Sequence, residues 1–499
     1  MPGVLNDVRR TASDVRHAAR DFFTEPVGRL TLGGYRARIE QMRVQLAGLL
    51  PDQPVRLRKA TSNLFRPRAE NRGTLDTTGL SGVLSIDTEA RTADVLGMTT
   101  YEDLVAATLP HGLMPLVVPQ LKTITLGGAV TGLGIESTSF RSGCPHESVL
   151  EMDILTGDGR ILTVTPHNEH AALFYGFPNS YGTLGYALRI RIELEAVQPY
   201  VHVRHLPFDD LAEATEALQR IALTGEHDGE RVDFLDGSWF PIRDAGVAET
   251  YLTLGSYASS LPDRVTPSDY TGQRIYYRSI QASGDSDATI GSGDDWMTIA
   301  QYLWRWDTDW FWCSRAFGAQ NPRIRRVWPA RWRRSNVYWR IVGLERKYRV
   351  KARMDAVKGL PEREEVVQDI EVPAARVPEF LRFLHEQTGI EPVWLCPLKQ
   401  RDPEAVWDLY AFQPDALYVN IGFWSTAPLP PGESDGYHNR RIEEKVAELG
   451  GRKSLYSTAF YPPEEFWSLY GGAQYEVLKK TYDPSGRLLD LYAKTVGRS

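Results

Sequence analysis

Apolar positions recur at two different spacings along the chain, and the spacing changes near residue 197. Between residues 55 and 196 they alternate in short runs, which is typical of strands. Val55 to Leu57 begins one strand, and Ala187 to Leu194 predicts a longer one. Leu150 to Val164 predicts a strand pair that folds at the turn Thr156-Gly157-Asp158-Gly159. We therefore assign residues 51–196 to one domain rich in short strands and glycine turns.

Beyond residue 197, helical spacing and strand spacing occur side by side. Asp209 to Leu223 and Pro378 to Glu386 carry apolar residues three and four positions apart, which predicts amphipathic helices. Arg231 to Phe240, Val366 to Val372 and Leu417 to Trp424 predict strands. The apolar positions expected on the inner helix faces are Leu211, Ala214, Leu218, Ile221, Phe380, Leu381 and Leu384. Helices that cover strands predict an α+β domain over residues 197–455.

The two ends of the chain and two glycine- or proline-rich stretches complete the pattern. Residues 1–50 are expected to be largely helical, with a break at Gly33-Gly34. The apolar stripe that follows the break consists of Ile39, Met42, Leu46 and Leu49. Residues 281–295 and 425–437 predict loops, and Pro463 is expected to begin the last helix.

Composition and charge exclude several classes of protein. The formal net charge of −7 argues against a general nucleic-acid binder, and no run of eighteen apolar residues is present to span a membrane. Three cysteines in 499 residues exclude a disulfide framework, and no apolar secretory signal follows the N-terminal arginines. The scattered histidines predict no metal site. We expect a cytoplasmic protein, soluble or held peripherally at the inner face of the plasma membrane.

One segment, residues 302–353, departs from the composition of the rest. It contains 14 lysines and arginines against three acidic residues, and seven of the 13 tryptophans. Tryptophan and arginine together are typical of an interface between an apolar phase and charged headgroups, so we interpret the segment as a peripheral membrane contact. Three alternatives remain open: the tryptophans pack the second domain, the arginines pair with the acidic remainder of the chain, or the segment is a subunit interface.

The most informative motif lies between Pro119 and Ser137. Four glycines fall within eight residues there, as GG-x-x-x-G-x-G from Gly127 to Gly134. Glycine has no Cβ and tolerates positive φ, so such a backbone can approach a bulky anionic group and bind it through successive N–H groups. A second glycine turn, Asn179 to Gly185, follows later in the chain. We interpret the pair as a pyrophosphate site, with a structural glycine loop as the alternative.

The pairing of this loop with the later S-x-GTLG turn resembles the FAD-binding domain of the vanillyl-alcohol-oxidase, or PCMH, type. The resemblance implies an α+β fold: a PCMH-type FAD-binding domain, an α+β substrate (cap) domain, and residues 456–499 packed back near the flavin site. Many relatives bond the flavin covalently to a histidine in their first phosphate-binding segment. The corresponding segment here, Val55 to Arg66, has no histidine, so we expect noncovalent FAD. The residues that the resemblance assigns to FAD are Arg58, Thr61, Ser62, Asn63, Thr125, Leu126, Gly127, Gly128, Gly132, Gly134, Ile135, Glu136, Ser137, Gly182, Thr183 and Gly185.

Longer segments resemble the delta-24 sterol reductase family. They include Arg58 to Arg66, Thr125 to Ser137, Val367 to Pro373 and, most discriminating, Pro392-Val393-Trp394-Leu395-Cys396-Pro397. The ending from Gly451 to Lys494 is similar to that of actinobacterial flavoproteins in this group, which reduce a 10-methylene fatty acyl chain. No counterpart of the N-terminal membrane helix expected of the animal sterol enzymes is recognisable.

The resemblance implies an FAD-dependent ene-reductase that converts 10-methylene-stearoyl to 10-methylstearoyl with NADPH. It also implies a lipid or acyl-chain substrate and, as a partner, the methyltransferase that makes the methylene lipid. Three alternatives are kept: sterol delta-24 reduction, FAD-dependent oxidation of a sugar alcohol that can be lipid-linked, and a non-enzymatic lipid-binding protein that retains FAD as a structural ligand.

Reduction of an isolated alkene needs a proton donor, because no carbonyl group stabilises the carbanion that hydride addition alone would form. The candidates at positions that match the family are Glu136, Cys396, Lys399, Tyr418 and Tyr461. Each also fits a structural role: a hydrogen-bonding carboxylate, a buried small apolar side chain, a surface charge and, for the tyrosines, core residues. The sequence does not distinguish among the five.

Overall fold

The computed structural model describes residues 32–50, 53–59, 64–66, 73–241, 248–270, 274–282, 294–348 and 361–496. The predicted flavin contacts Thr61, Ser62 and Asn63, the first 31 residues and most of the loop predicted at 281–295 lie outside these ranges. Two separate antiparallel sheets form the framework of the described part.

The first unit contains a parallel strand pair and a small antiparallel sheet. Its strands are β1 (Val55–Arg58), β2 (Gly73–Asp76), β3 (Val83–Asp87), β4 (Thr92–Leu96), β5 (Leu113–Pro115), β6 (Val149–Leu155), β7 (Ile161–Val164) and β8 (Tyr186–Ala196). The antiparallel sheet has the order β3-β4-β8-β6-β7, and β5 pairs with β8. Its helices are Leu32–Gly48, Tyr101–Thr108, Leu126–Gly132, Ser139–Ser142 and Ala171–Gly176. The hairpin β6–β7 turns at Thr156 to Gly159, as predicted.

The second unit is built on an eight-stranded sheet of order β14-β9-β13-β12-β16-β17-β15-β18. Its strands are β9 (Tyr200–Phe208), β10 (Glu226–His227), β11 (Glu230–Arg231), β12 (Phe234–Trp239), β13 (Thr250–Ala258), β14 (Asp294–Thr298), β15 (Arg363–Pro373), β16 (Val393–Lys399), β17 (Leu417–Pro428) and β18 (Arg452–Lys453). The strands β10 and β11 form a separate hairpin. The helices that follow β9 are Leu211–Thr224, Tyr276–Ala282, Ile299–Leu303, Pro322–Val327, Ser335–Tyr348, Val377–Thr388, Tyr437–Glu448, Pro463–Leu469, Gly472–Tyr482 and Leu491–Thr495. Together the two units make an α+β protein, as the family resemblance implies.

The two faces of the large sheet bury different cores. Side chains of successive strand residues point to opposite faces, so β16 places Val393 and Leu395 under the helices Leu211–Thr224 and Val377–Thr388. On the other face, Trp394 and Cys396 join a core shared with the first unit. The same alternation in β15 and β17 directs residues 369, 420 and 424 toward the first unit. This face is where the two units meet.

Most of the predicted elements are confirmed, with shifted ends. The helix predicted from Asp209 spans Leu211–Thr224, and Asp210 caps it by accepting hydrogen bonds from Ala212 N and Glu213 N. The loop predicted from Ser425 is wrong for its first four residues, because β17 continues to Pro428 while paired with β15. Pro463 begins a helix, but two further helices follow it. Gly33 and Gly34 lie inside the first turn of the helix Leu32–Gly48 rather than before it.

The C-terminal residues return to the first unit. The backbone N–H of Val55 donates to the carbonyl of Arg487 at 2.9 Å, and Lys479 Nζ donates to the carbonyl of Thr183 at 2.8 Å. These contacts join the end of the chain to the first strand and to the second glycine turn.

Much of the tryptophan-rich segment is interior. Trp306, Trp310 and Trp312 are buried, and the buried Arg305 pairs with Asp236 at 2.7 Å. Interior packing and ion pairing therefore account for the tryptophans and the arginine at 305–312. No helix in the described ranges is both long and apolar enough to cross a bilayer.

Candidate functional site

A cavity of about 320 Å³ lies between the two units. One wall is made by residues from 56–59 and 64–66, the glycine loop at 123–135 and the turn at 181–187, with Lys494 of the returning C-terminus beside them. The opposite wall is the inward face of β15, β16 and β17, together with Trp310 and Phe311. The cavity thus joins a glycine-rich, basic end to an aromatic end.

The glycine loop presents a bare backbone next to a cation. Thr125 caps the helix Leu126–Gly132 by accepting a hydrogen bond from Gly128 N at 3.2 Å, and Lys59 Nζ lies 3.4 Å from Thr125 Oγ1. A Cβ on Gly128 would lie 2.8 Å from Thr125 Oγ1 and 3.8 Å from Lys59 Nζ. An unobstructed backbone beside a lysine is suited to a phosphate.

The other loop glycines allow close packing around this surface. A Cβ on Gly127 would lie 2.6 Å from the carbonyl oxygen of Gly97, and one on Gly132 would lie 3.0 Å from the ring of Tyr181. Gly134 sits between the rings of Pro119 and Pro145, each 3.1 Å from where its Cβ would be. The motif therefore needs glycine for packing as well as for ligand access.

The second glycine turn is fastened to the first. Tyr181 donates its hydroxyl hydrogen to the carbonyl of Gly132 at 2.8 Å, and Lys494 Nζ donates to the carbonyl of Tyr181 at 2.6 Å. Gly182 and Gly185 have φ values of 72° and 150°, which glycine adopts readily. With Arg56, Lys59 and Lys494 at this end of the cavity, the donor set fits a dinucleotide diphosphate.

Replacing Gly128 with leucine is expected to weaken FAD binding about 10- to 100-fold, because the side chain would cover backbone donors that can reach a phosphate. The measurement is a titration of the apoprotein with FAD, followed by flavin fluorescence. Gly343 provides the matched control: it also lies in a helix, and its Cβ would meet nothing within 4 Å. Equal FAD affinity of G128L and G343L would show that the loop does not contact the cofactor.

The opposite end of the cavity is lined by aromatic rings. Phe65 packs against Trp310 with a centroid separation of 5.5 Å, and Phe311 lies 4.5 Å from Trp424 and 5.7 Å from Trp394. Such a surface excludes water and accepts an apolar chain or ring system.

One carboxylic acid faces this aromatic end. Asp369, on β15, accepts a hydrogen bond from Asn420 Nδ2 at 3.4 Å and another from the hydroxyl of Tyr456. Trp424 Nε1 donates in turn to Tyr456 Oη at 3.0 Å. Burial raises the pKa of Asp369 to about 7, against the two hydrogen bonds that lower it. The side chain is therefore a carboxylic acid that can hold a proton near neutral pH.

Gly422 makes this arrangement possible. It pairs with Asp369 across β15 and β17, and a Cβ there would lie 2.5 Å from Asp369 Oδ1 and 2.8 Å from the ring of Trp424. Any other residue would displace the carboxyl group or the indole.

The predicted acid Glu136 lies behind the cavity wall. It accepts hydrogen bonds from Gln120 Nε2 at 2.9 Å and from Ser137 N at 2.8 Å, and Gln120 itself lines the cavity. Burial raises the pKa of Glu136 to about 7, partly offset by Arg305. Glu136 is therefore connected to the cavity through the side chain of Gln120 and does not line it.

The other four predicted acids are also absent from the cavity lining. Cys396 is fully buried on the inward face of β16, and burial raises the pKa of its thiol. Lys399 lies at the end of that strand, 4.0 Å from Asp415. Tyr418 packs against Phe412 at 4.6 Å, and Tyr461 lies buried 6.1 Å from Tyr470. The structure brings none of them to the aromatic end.

The predicted flavin contacts divide into three groups. Those that line the cavity are Thr125, Gly127, Gly128, Gly132, Gly134, Ile135, Gly182 and Gly185. Those outside its lining are Arg58, Leu126, Glu136, Ser137 and Thr183. Thr61, Ser62 and Asn63 lie outside the described residues. Within the described ranges, no cluster of three or more His, Cys, Asp or Glu side chains is arranged to hold a metal ion.

The residues at 50–165 match the protein family described as FAD binding domain. Over a longer stretch, the chain is similar to the Delta(24)-sterol reductase of Arabidopsis thaliana, at 25% identity over 439 residues, covering 83% of this chain and 74% of that protein. The Delta(24)-sterol reductase of Homo sapiens is 24% identical over 422 residues, covering 83% and 76%. Cytokinin dehydrogenase 4 of Oryza sativa subsp. japonica is 21% identical over 404 residues, covering 78% and 70%.

The glycine-loop wall of the cavity therefore belongs to an FAD-binding domain of the PCMH type, as predicted, within an α+β fold. The chain is a distant homologue of delta-24 sterol reductases, and the matches support an FAD-dependent oxidoreductase.

Proposed function

We propose that this protein reduces an isolated C=C bond of a lipid, converting 10-methylene-stearoyl to 10-methylstearoyl with NADPH as electron donor and noncovalent FAD. The observation that carries the proposal is the position of Asp369, a carboxylic acid with a pKa near 7 in an aromatic cavity that continues into the flavin-binding loop. The sterol reductase relatives support reduction of an alkene as the reaction class.

The chemistry of an isolated alkene requires such an acid. Protonation of the exocyclic CH₂ carbon places positive charge on the tertiary C10, and a hydride then completes the saturated product. FAD, when bound and reduced by NADPH, supplies the hydride. The protein must supply the proton, hold the chain and exclude water.

Asp369 is positioned to supply the proton. The amide of Asn420 and the hydroxyl of Tyr456 both donate hydrogen bonds to it, so they orient the carboxyl group and stabilise the carboxylate left after transfer. Trp424 fixes Tyr456 through the indole N–H. None of these contacts needs to rearrange for a proton to leave the carboxyl oxygen.

The aromatic wall contributes in two ways. Phe311, Trp394 and Trp424 exclude water, which would otherwise capture the developing cation. Their π faces also stabilise a nearby positive charge, by about 0.5–2 kcal/mol for a typical cation–π contact. Both effects favour a substrate without polar groups at the reacting carbon.

The test is an anaerobic experiment with the purified flavoprotein. Addition of NADPH should bleach the flavin, and subsequent 10-methylene-stearoyl phospholipid should restore its colour and yield the 10-methyl product by mass spectrometry. Bleaching without reoxidation by lipid would exclude this substrate. Failure of NADPH to bleach the flavin would contradict the proposed electron donor.

A delta-24 unsaturated sterol is the second candidate, because the relatives with 24–25% identity are named for that reaction. The same experiment distinguishes the two: reoxidation by the sterol and not by the methylene lipid would favour it. An FAD-dependent oxidase would instead be reduced by an alcohol and reoxidised rapidly by O₂. A structural FAD would be reduced by neither donor. The methyltransferase partner stays a prediction.

A further inference from the structure

The arginines of residues 322–334 fall into two sets with different surroundings. Arg325 and Arg333 are 2% and 3% exposed, and Arg334 forms an ion pair with Glu102. Arg323, Arg326 and Arg331 are exposed, and no side-chain ion pair joins them to another residue in the described part of the chain. The first set holds the segment in place, and the second points outward.

The inward set makes a rigid base. Arg325 forms a bidentate pair with the buried Asp309, at 2.7 and 2.8 Å, and Arg333 donates to the carbonyls of Arg325 and Trp328. The backbone N–H of Asp309 also donates to the carbonyl of Arg333 at 2.7 Å. The helix Pro322–Val327 and the turn Ala330–Trp332 are therefore fastened to the same buried aspartate.

The outward surface of this base combines charge with large apolar side chains. Ile324, Val327 and Trp332 are 40%, 78% and 47% exposed. They share two short neighbouring elements with Arg323, Arg326 and Arg331. We call these six residues the basic-apolar patch. Exposed apolar side chains interspersed with arginines are typical of surfaces that enter a lipid headgroup layer.

We propose that the basic-apolar patch docks the protein on an anionic phospholipid surface. The three arginines are complementary to lipid phosphates, and the apolar side chains can enter the acyl boundary beneath them. The electrostatic attraction to an anionic lipid surface must come from the patch itself, because the whole chain carries a formal charge of −7. A polyanion such as nucleic acid, bound through its charges alone, would offer no apolar partner to Ile324, Val327 and Trp332.

The patch is also joined directly to the cavity. Asp309, which anchors Arg325, immediately precedes Trp310, and Trp310 lines the cavity. The element that carries the patch is therefore connected to the aromatic wall through the Arg325–Asp309 ion pair. The docking proposal limits the membrane contact expected from residues 302–353 to the six side chains of the patch. The proposal does not depend on which lipid the protein reduces.

The test is flotation of the intact flavoprotein with two kinds of vesicle: phosphatidylcholine alone, and phosphatidylcholine mixed with phosphatidylglycerol. The protein should float with the anionic vesicles at low salt, and less at high salt, because salt screens the arginines. The triple variant R323E/R326E/R331E should bind anionic vesicles about 100-fold more weakly. V327D should weaken binding even though the arginines remain.

The control variant changes the same number of charges elsewhere. R220E/R264E/R382E alters three exposed arginines outside the patch, two of them on the helices that cover the opposite face of the large sheet. It should float like the unchanged protein. Equal loss in both triple variants would show that only net charge matters, and equal flotation of all proteins would overturn the proposal. Loss of flotation on adding short duplex DNA would assign the patch to nucleic acid.

A separate measurement distinguishes docking from catalysis. Flavin reoxidation by detergent-dispersed methylene lipid should be unchanged in R323E/R326E/R331E, because these arginines do not line the cavity. If this activity is lost while vesicle binding persists, the patch acts on the cavity and not on the membrane. If the lipid is not a substrate at all, the flotation result still decides the docking proposal.

Discussion

Replacing Asp369 with asparagine is expected to slow reoxidation of reduced flavin by the alkene about 10²- to 10⁴-fold, the usual contribution of a positioned general acid. The amide cannot deliver the proton, yet it keeps the size of the side chain. Reduction of the flavin by NADPH should change little, because that half-reaction does not use the proton. Stopped-flow absorbance measures the two half-reactions separately.

The matched control is Asp408→Asn, because Asp408 is also an acid whose pKa is raised by burial but lies outside the cavity lining. It should leave both half-reactions unchanged. If the reduced flavin of D369N is reoxidised by the alkene at the rate of the unchanged protein, Asp369 is not the acid. That result does not contradict the lipid substrate. If D369N loses FAD, the side chain supports the cofactor and not the proton transfer.

The pH dependence follows from the raised pKa of Asp369. The carboxyl group is protonated below about pH 7, so the alkene half-reaction should be fastest at acidic pH and fall as the pH rises through 7. The hydroxyl of Tyr456 lowers this pKa by hydrogen bonding to the carboxylate. Tyr456→Phe should therefore move the falling limb to higher pH. A limb that does not move would separate the tyrosine from the titrating group.

Gly422→Ala tests the same site by geometry. The added methyl group would meet Asp369 Oδ1 at 2.5 Å, so the carboxyl group must turn away from its present position. We expect alkene reduction to slow while the FAD content stays unchanged. Gly237→Ala is the comparison within the same sheet, because its Cβ would meet neighbours only at 3.2 Å or more. Similar rates in both variants would mean that the exact carboxyl position is unimportant.

The sequence predicts the strand that carries Asp369 but not the role of the residue. An acid among alternating apolar residues is usually assigned to the solvent side of a strand, and here both faces of β15 are covered. Asn420, Trp424 and Tyr456 reach Asp369 only through long-range pairing of β15 with β17 and the chain after β18. The glycine loop could be interpreted from the sequence alone, because its phosphate-binding geometry depends mainly on residues that are close together in the sequence.

For residues 302–353, amino-acid composition alone does not predict which side chains are buried and which are exposed. Tryptophan and arginine content indicate an interface, but the buried partners Asp236 and Asp309 hold Arg305 and Arg325 in the interior. Trp306 and Trp312 also belong to the core, whereas Trp332 does not. Cys396 illustrates the same point in β16: it lies buried on the inward face, but it is not among the residues that line the cavity.

A buried hydrogen-bond network centred on Asp236 lies behind the cavity wall. Asp236 accepts hydrogen bonds from Arg305 at 2.7 Å, Trp394 Nε1 at 3.1 Å and Trp306 Nε1 at 3.2 Å. Asp236→Ala would leave the guanidinium of Arg305 buried without its main counter-charge. We expect the free energy of unfolding to fall by about 3–5 kcal/mol, as for other buried pairs that lose one partner.

Urea unfolding of the apoprotein, followed by tryptophan fluorescence, measures this change. Glu379→Ala is the control, because Glu379 also pairs with two cations, Arg376 and Lys445, but at the surface. It should change the free energy of unfolding far less than D236A does, because solvent screens ion pairs at the surface. Because Trp394 lines the cavity, D236A should also disturb the aromatic wall and slow alkene reduction in whatever fraction remains folded. Equal unfolding midpoints for D236A and E379A would show that Glu136, 3.9 Å from Arg305, can replace Asp236 as its counter-charge.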